Sequence, residues 1–128
     1  MRSANPEAPS RIELTVPANE DYLAMVRVVT GRAAGLAGFS FNGTDDLCLA
    51  VAEAATLLIA TDPATLDVSL VVESDAIDGE VAITDPSRTW PPSGLEEDMR
   101  WQILDAVFDE SWTLTDGRMG IGWRQPSR

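Results

Sequence analysis

The chain has 128 residues and a formal net charge of −12 at pH 7, and it contains neither histidine nor lysine. Its hydrophobic share of 45% and charged share of 23% are typical of one soluble globular domain, which excludes an intrinsically disordered chain. The acidic balance disfavours direct binding of nucleic acid, which needs clustered cations, and favours a partner with a basic surface, although the same charge also serves solubility alone.

Several site classes are disfavoured by the residues that are missing. Without histidine, neither a Ser-His-Asp nor a Cys-His catalytic arrangement can form. A chain with one cysteine, Cys48, and no histidine also lacks the usual ligands of a zinc site. One cysteine also fits a reducing cytoplasm, and a redox role for it stays open. Residues 1–10 are polar and contain proline, so we expect a disordered tail rather than a signal peptide. Since no apolar run reaches transmembrane length, a cytoplasmic protein is expected.

The first half of the chain predicts one strand followed by two helices. Alternating apolar residues predict a strand that ends at Pro17, with its apolar face formed by Ile12, Leu14 and Val16. Asn19 is a good N-cap for the next helix, whose apolar residues keep helical spacing: Tyr22, Val26, Val29, Ala33 and Leu36. A second helix is predicted over residues 44–60, and it ends before Asp62.

The second half predicts two hairpins separated by a helix. Strands are predicted around residues 66–72 and 81–83, a proline-rich loop follows, and a helix covers residues 99–108. A last hairpin pairs the strands around Trp112 and Trp123. The order β-α-α-β-β-α-β-β predicts an α+β two-layer sandwich, with a mostly antiparallel sheet covered by helices on one face. We expect a single domain at 11–124 and a C-terminal tail at 125–128.

The second predicted helix carries one carboxylate among apolar side chains. Glu53 lies on a stripe beside a core-facing stripe, the two stripes being Leu49, Glu53 and Leu57, and Leu47, Val51, Ala54 and Leu58. Because burial removes solvation from a carboxylate, Glu53 is predicted to be a tuned proton acceptor or the remnant of one.

The run from Leu47 to Thr56 resembles the N-box helix of the RsbW-type anti-sigma factors, which are bacterial serine kinases of the GHKL (histidine-kinase-like) ATPase superfamily. The resemblance covers about residues 11–124 and implies the GHKL, or Bergerat-like, fold. In that family the glutamate activates the attacking group, and an asparagine four residues later holds the magnesium ion of Mg-ATP. Leu57 stands at that position here, and its side chain offers no oxygen ligand, so we assign no metal ligand.

The resemblance also implies two glycine-rich loops that cradle ATP, and both differ here. Asp85 matches the residue that reads the adenine amino group, although it is also a typical turn former, while Ser87 and Thr89 replace the glycines of the first loop. In the second loop Asp98 and Arg100 stand at glycine positions. The carboxylate of Asp98 opposes a phosphate, whereas Arg100 could bind one. Asp85 and Arg100 are therefore the remaining candidate nucleotide-binding residues, and these changes together predict an abandoned site.

The predicted loss of the nucleotide site also affects the role of Glu53. A general base needs a bound hydroxyl substrate, a nearby phosphate and a metal, and the resemblance predicts that these are lost. We therefore expect a vestigial carboxylate that is bonded to backbone or water, and we assign neither a catalytic residue nor a cofactor.

The resemblance implies a partner-binding surface on the first helix. Family members use an arginine in the middle of this helix to hold both a sigma factor and an antagonist STAS-domain protein, and Arg27 matches its position. Arg27 should point outward because Val26 and Val29 face the core, although an exposed arginine can also be an ordinary surface charge. Arginine is well suited to anchoring an interface.

The position of a tryptophan in the predicted elements indicates whether it lies in the core or is exposed. Trp112 and Trp123 lie on strands and are both predicted to face the core. Trp90 lies in the proline-rich loop, and we predict that it is exposed and contacts a partner.

Two functions of different classes follow from the resemblance. The leading prediction is an anti-sigma factor that sequesters an alternative sigma factor, is released by a STAS-domain antagonist, and does not bind ATP. The alternative is an active serine/threonine kinase that uses Mg-ATP to phosphorylate that antagonist. A regulatory domain with some other partner is a third reading. A homodimer is also implied by the family, and the first strand could offer an open edge for it.

Overall fold

The computed structural model describes residues 9–128, which form one sheet of five strands and three α-helices. The strands are β1 (Ser10–Pro17), β2 (Thr65–Val72), β3 (Ala76–Thr84), β4 (Glu110–Leu114) and β5 (Met119–Pro126). The helices are α1 (Leu23–Leu36), α2 (Phe41–Ile59) and α3 (Met99–Val107), with short 3-10 helices at Glu20–Tyr22 and Leu95–Glu97. This order confirms the predicted order of elements and the α+β class.

The sheet is antiparallel throughout and has the strand order β1-β2-β3-β5-β4. Its two faces differ, because apolar and polar residues alternate along the strands. On β2 the buried residues are Leu66, Val68, Leu70 and Val72, and the residues between them are partly exposed. The buried face packs against the helices, the predicted two-layer arrangement, and the other face meets solvent.

Helix α2 supplies much of the core. It begins three residues earlier than predicted because the Ser40 hydroxyl caps it, accepting a hydrogen bond from the Gly43 amide at 3.0 Å. Its buried residues are Leu47, Ala50, Val51, Ala52, Ala54, Ala55, Leu57 and Leu58. The many alanines on this face let α2 lie close to its neighbours. The predicted core-facing stripe is among these buried residues, so that prediction is confirmed.

Trp123 is the largest side chain that is fully buried between the helices and the sheet. Its indole ring stacks on Phe108, with ring centroids 4.9 Å apart. Across the strand pair its register partner is Gly79 of β3, and a Cβ atom at Gly79 would overlap the indole ring. Gly79 therefore provides the space that Trp123 occupies, and the prediction that Trp123 lies in the core is confirmed.

The prediction that Trp112 faces the core is wrong. Trp112 is 41% exposed because it pairs with Gly122, one step out of phase with Trp123, and therefore lies on the solvent-facing side of the sheet. Leu36 is 55% exposed because α1 ends at this residue. The chain then turns at Gly38, whose φ of 81° suits glycine.

The chain ends differ from the predicted tails. Strand β1 begins at Ser10, and residues 1–8 of the predicted N-terminal tail lie outside the described residues. At the other end, β5 continues to Pro126 and Gln125 is buried, its side-chain oxygen accepting a hydrogen bond from the Asp109 amide at 2.7 Å. Arg128 pairs with Asp109. Residues 125–128 are therefore packed rather than a free tail.

No helix within residues 9–128 combines the length and the apolar character needed to cross a membrane.

We expect Gly79→Ala to lower the free energy of unfolding by about 1–3 kcal/mol, because the new methyl group overpacks against Trp123. Urea denaturation measures this change. The matched control is Gly35→Ala on α1, where the nearest atom, Nη1 of Arg32, is 3.9 Å from the new Cβ. This control should raise stability by up to about 1 kcal/mol through helix propensity. A Gly79→Ala protein as stable as the original chain would contradict the assigned packing.

Candidate functional site

The carboxylate of Glu53 lies beside an arginine at the margin of the core. Glu53 is on α2, and its Oε2 lies 3.4 Å from Nε of Arg100 on α3. The Glu53 side chain is 22% exposed and that of Arg100 is 52% exposed. Glu53 thus takes part in an ion pair between two helices, a contact that the sequence analysis did not predict.

Leu57 lies one helical turn after Glu53 and is only 7% exposed. It belongs to the apolar cluster that also contains Trp90 and Leu95. The position at which the family resemblance places a magnesium ligand is thus part of the hydrophobic core. Neither a cation nor its hydration shell has a favourable environment there.

Asp98 is the N-cap of α3. Its Oδ1 accepts a hydrogen bond from the Arg100 amide at 2.8 Å. The free amides at a helix N-terminus are a natural site for a phosphate group. Here the protein's own carboxylate occupies that position and brings a negative charge, so a phosphate would have to displace Asp98 and overcome its repulsion.

The space between these residues is small. A hollow of about 220 Å³ is lined by residues of the 3-10 helix before α1, of α2 and of the start of α3, namely Glu20, Thr56, Leu57, Ile59, Ala60, Asp98 and Arg100. Pockets that enclose drug-sized ligands usually measure about 300–1,000 Å³. The hollow also carries two carboxylates, Glu20 and Asp98. The residues present therefore do not fit a Mg-ATP complex.

The loop after β3 lies against the end of α2. The amides of Ser87 and Arg88 donate to the Thr61 carbonyl at 3.0 and 3.2 Å, and the Ser87 hydroxyl donates to the Asp62 carbonyl at 3.2 Å. Asp85 is exposed and has a φ of 50°, a conformation in which aspartate is tolerated in turns. The structure thus brings Glu53 and Arg100 together, but it leaves Asp85 outside the small hollow, which favours its interpretation as a turn residue.

Trp90 is buried rather than exposed, so the prediction that it contacts a partner is wrong. It is 9% exposed, and its indole nitrogen donates a hydrogen bond to the Leu114 carbonyl at 3.2 Å. The proline-rich loop therefore folds inward and uses Trp90 to close the core beside β4. A satisfied indole N–H makes this burial favourable.

Arg27 is exposed on α1, as predicted, and lies on the side of the helix that borders α2. The Cys48 thiol of α2 donates to the Arg27 carbonyl at 3.5 Å, and Gly31, one turn further on, is next to Cys48 and Thr44. Burial, followed by the nearby charge of Asp45, raises the pKa of the Cys48 thiol, so the thiol is protonated at neutral pH. Within residues 9–128 there is no group of three or more potential metal ligands.

The opposite side of α1 forms an apolar hollow with β1. This hollow measures about 390 Å³ and is lined by Leu14, Ala24, Met25, Val28 and Val29. Val28 is 72% exposed and Met25 is 54% exposed. The sequence analysis did not single out these two residues. The sequence could have indicated them, because α1 carries more apolar residues than one buried stripe requires.

Comparison with known proteins identifies relatives. The chain is 32% identical over 110 residues to a protein of Mycobacterium tuberculosis named anti-sigma-F factor RsbW, a match that covers 84% of this chain and 63% of the relative. It is 27% identical over 94 residues to the serine-protein kinase RsbW of Halalkalibacterium halodurans, with coverage of 71% and 57%. No family model matches the chain.

The chain thus spans about three fifths of the length of the curated relatives that it matches. Both relatives carry the family name that the α2 run had suggested. At 27% to 32% identity over most of its length, the chain is a homologue of the RsbW-type proteins.

Proposed function

We propose that this protein is an anti-sigma factor that holds an alternative sigma factor in an inactive complex in the cytoplasm and does so without ATP. The observation that carries the proposal is the relationship to a protein named anti-sigma-F factor RsbW, over 84% of this chain. The net charge of −12 supports it. A sigma factor presents basic surfaces that meet DNA phosphates, and an acidic domain can cover those surfaces.

The proposed contact surface lies on the side of α1 that borders α2. Arg27 is the cation at its centre, and its carbonyl accepts a hydrogen bond from Cys48 of α2, whose thiol also senses the charge of Asp45. An exposed arginine on a rigid helix suits a planar carboxylate on a partner. We propose that a STAS-domain antagonist uses the same residue and releases the sigma factor by competing for it.

Arg27→Ala should weaken binding of the sigma factor by about 30-fold, the effect of losing an interface anchor worth about 2 kcal/mol. Arg27→Glu should weaken it further because it sets a negative charge opposite the partner's carboxylate. Isothermal titration calorimetry with the purified sigma factor measures both effects. Arg32→Ala, also exposed on α1, is the matched control and should change binding by less than about threefold. Equal effects at Arg27 and Arg32 would contradict the assignment.

The proposed absence of ATP binding makes the protein a pseudokinase. Its support is the joint change of several positions: Leu57 is buried in the core, Asp98 caps α3, and Glu53 pairs with Arg100. The alternative, an active kinase that phosphorylates the antagonist, is favoured by one relative's name, serine-protein kinase RsbW. That alternative requires a magnesium site built from other residues.

Mg-ATP at about 1 mM should leave the melting temperature of the protein unchanged and give no binding heat in calorimetry. A dissociation constant near 10 μM would instead add about 2.7 kcal/mol of stability at that concentration and raise Tm by several degrees. Leu57→Asn tests the site further. It restores an oxygen ligand but leaves Asp98 in place, so we expect no gain in ATP binding. Micromolar binding by the unmodified chain would favour the kinase.

We also propose a homodimer that forms through the edge strand β1 and the apolar hollow beside it. β1 is an edge of the sheet, so its outer backbone groups can pair with a second strand. An antiparallel pairing centred on Ile12 places Arg11 of each copy opposite Glu13 of the other, and this cross-strand pair of opposite charges favours that register. The exposed side chains of Met25 and Val28 would be covered in the dimer.

Val28→Arg should shift the protein towards monomer because it puts a charge into the apolar hollow, and sedimentation velocity between about 1 and 100 μM measures the shift. Leu36→Arg, at an exposed site at the far end of α1, is the control and should leave the association unchanged. A chain that is monomeric throughout this range would refute the dimer while leaving the proposed binding of sigma factor unaffected.

A further inference from the structure

The solvent-facing side of the sheet contains a groove that the proposed contact at Arg27 does not use. It measures about 520 Å³ and crosses the sheet from Arg11 of β1 to Glu110 and Trp112 of β4. On β5, Gly120 and Gly122 pair with Leu114 and Trp112 of β4. The two glycines leave the sheet without side chains at these positions, and a Cβ atom at Gly122 would overlap the indole nitrogen of Trp112.

Trp112 forms the aromatic wall of this groove. Its indole lies across Gly122, an arrangement that shields a glycine in a sheet. That role needs only one side of the ring, and the residue as a whole remains 41% exposed. An exposed indole on the wet face of a sheet, at the edge of a groove, is suited to stacking against a flat cationic group.

Three arginines and three carboxylates line the groove, and they differ in their pairing. Arg11 donates a hydrogen bond to the Ser69 hydroxyl at 2.9 Å. Arg118 pairs with Glu80, and Arg124 pairs with both Glu73 and Asp78. These contacts raise the pKa of both arginines, chiefly through their hydrogen bonds to the carboxylates. The two guanidinium groups are thereby already engaged, which leaves them little capacity for an anionic ligand.

Glu110 is different, because it has no ion-pair partner within 4.0 Å in the part of the chain that the structure describes. It is exposed, and it lies two residues before Trp112 on the same face of β4. Two positions on one strand face are ~7 Å apart. An arginine side chain can stack on the indole and reach the carboxylate at the same time.

We propose that this groove docks a basic segment of a protein partner, with one arginine of the segment stacked on Trp112 and paired with Glu110. The unpaired carboxylate and the aromatic wall specify a cation, and the planar guanidinium fits both groups better than a lysine ammonium does. The surplus of carboxylates over arginines in the whole chain, 21 against 9, attracts such a segment from a distance. The inference does not depend on the anti-sigma function, since it concerns the opposite layer of the molecule from α1.

The test uses the full chain labelled with ¹⁵N and two peptides of equal charge, acetyl-Gly-Arg-Gly-Arg-Gly-amide and its lysine counterpart. The indole N–H signals of the four tryptophans are separate reporters, and Trp112→Phe replacement assigns one of them. At about 150 mM salt, where unspecific attraction is screened beyond ~8 Å, the arginine peptide should shift the Trp112 signal. It should also bind roughly two- to fivefold more tightly than the lysine peptide.

Three variants decide between this docking and general attraction to an acidic protein. Trp112→Ala should abolish the preference for the arginine peptide, and Glu110→Gln should weaken the binding of both peptides. Trp101→Phe on α3 is the control and should keep the preference. Because Glu110 is exposed, its variant remains informative if Trp112→Ala is destabilised. Peptide shifts confined to α1, or a preference that survives Trp112→Ala, would overturn the proposal.

Discussion

The burial of α2 between the sheet and the other helices is the constraint on which the rest of this structure depends. Eight of its residues are buried, and five of them are alanine or valine, so neighbouring elements approach its backbone closely. Because these apolar residues must face the core, the rotation of α2 about its axis is fixed, and so is the direction in which each of its other side chains points. Glu53 follows from it directly, because it falls at the margin of the buried stripe and meets the solvent beside α3.

The same constraint bears on the proposal that the protein does not bind ATP. A leucine at position 57 extends the apolar face of α2, and its burial is favourable by about 1.5–3 kcal/mol relative to exposure. Polar groups that a nucleotide could otherwise engage find partners within the chain. The first amides of α3 meet Asp98, and Glu53 meets Arg100. Each of these contacts lies within the chain itself, which supports the proposal that no nucleotide is bound.

Much of the fold could be predicted from the sequence, because alternation in the strands and helical spacing in α2 are strong local signals. The predictions for two tryptophans failed, since they depended on information that is not local. Trp112 and Trp123 lie on opposite faces because the register of β4 with β5 pairs Trp123 with Ser111. The spacing of either strand alone does not fix that register. Trp90 is buried because its indole nitrogen reaches the Leu114 carbonyl, a contact across 24 residues of sequence.

The predictions for the candidate site also succeeded where they rested on local spacing and failed where they needed contacts between distant elements. The family pattern located Glu53, Leu57 and Asp98 from local spacing, but the ion pair of Glu53 with Arg100 depends on how α3 lies against α2.

The exposed side chains of α1 point in two directions, and this geometry separates the proposed contacts. Arg27 lies on the side of α2, whereas Met25 and Val28 lie above β1. A second copy bound along β1 therefore need not cover Arg27, and one helix can serve both a dimer contact and a partner contact. Since α1 rests on the core through Val26, Thr30 and Ala33, its orientation is fixed by packing. Two rigid contact directions on one helix are therefore compatible with the proposed competition at Arg27 within the proposed dimer.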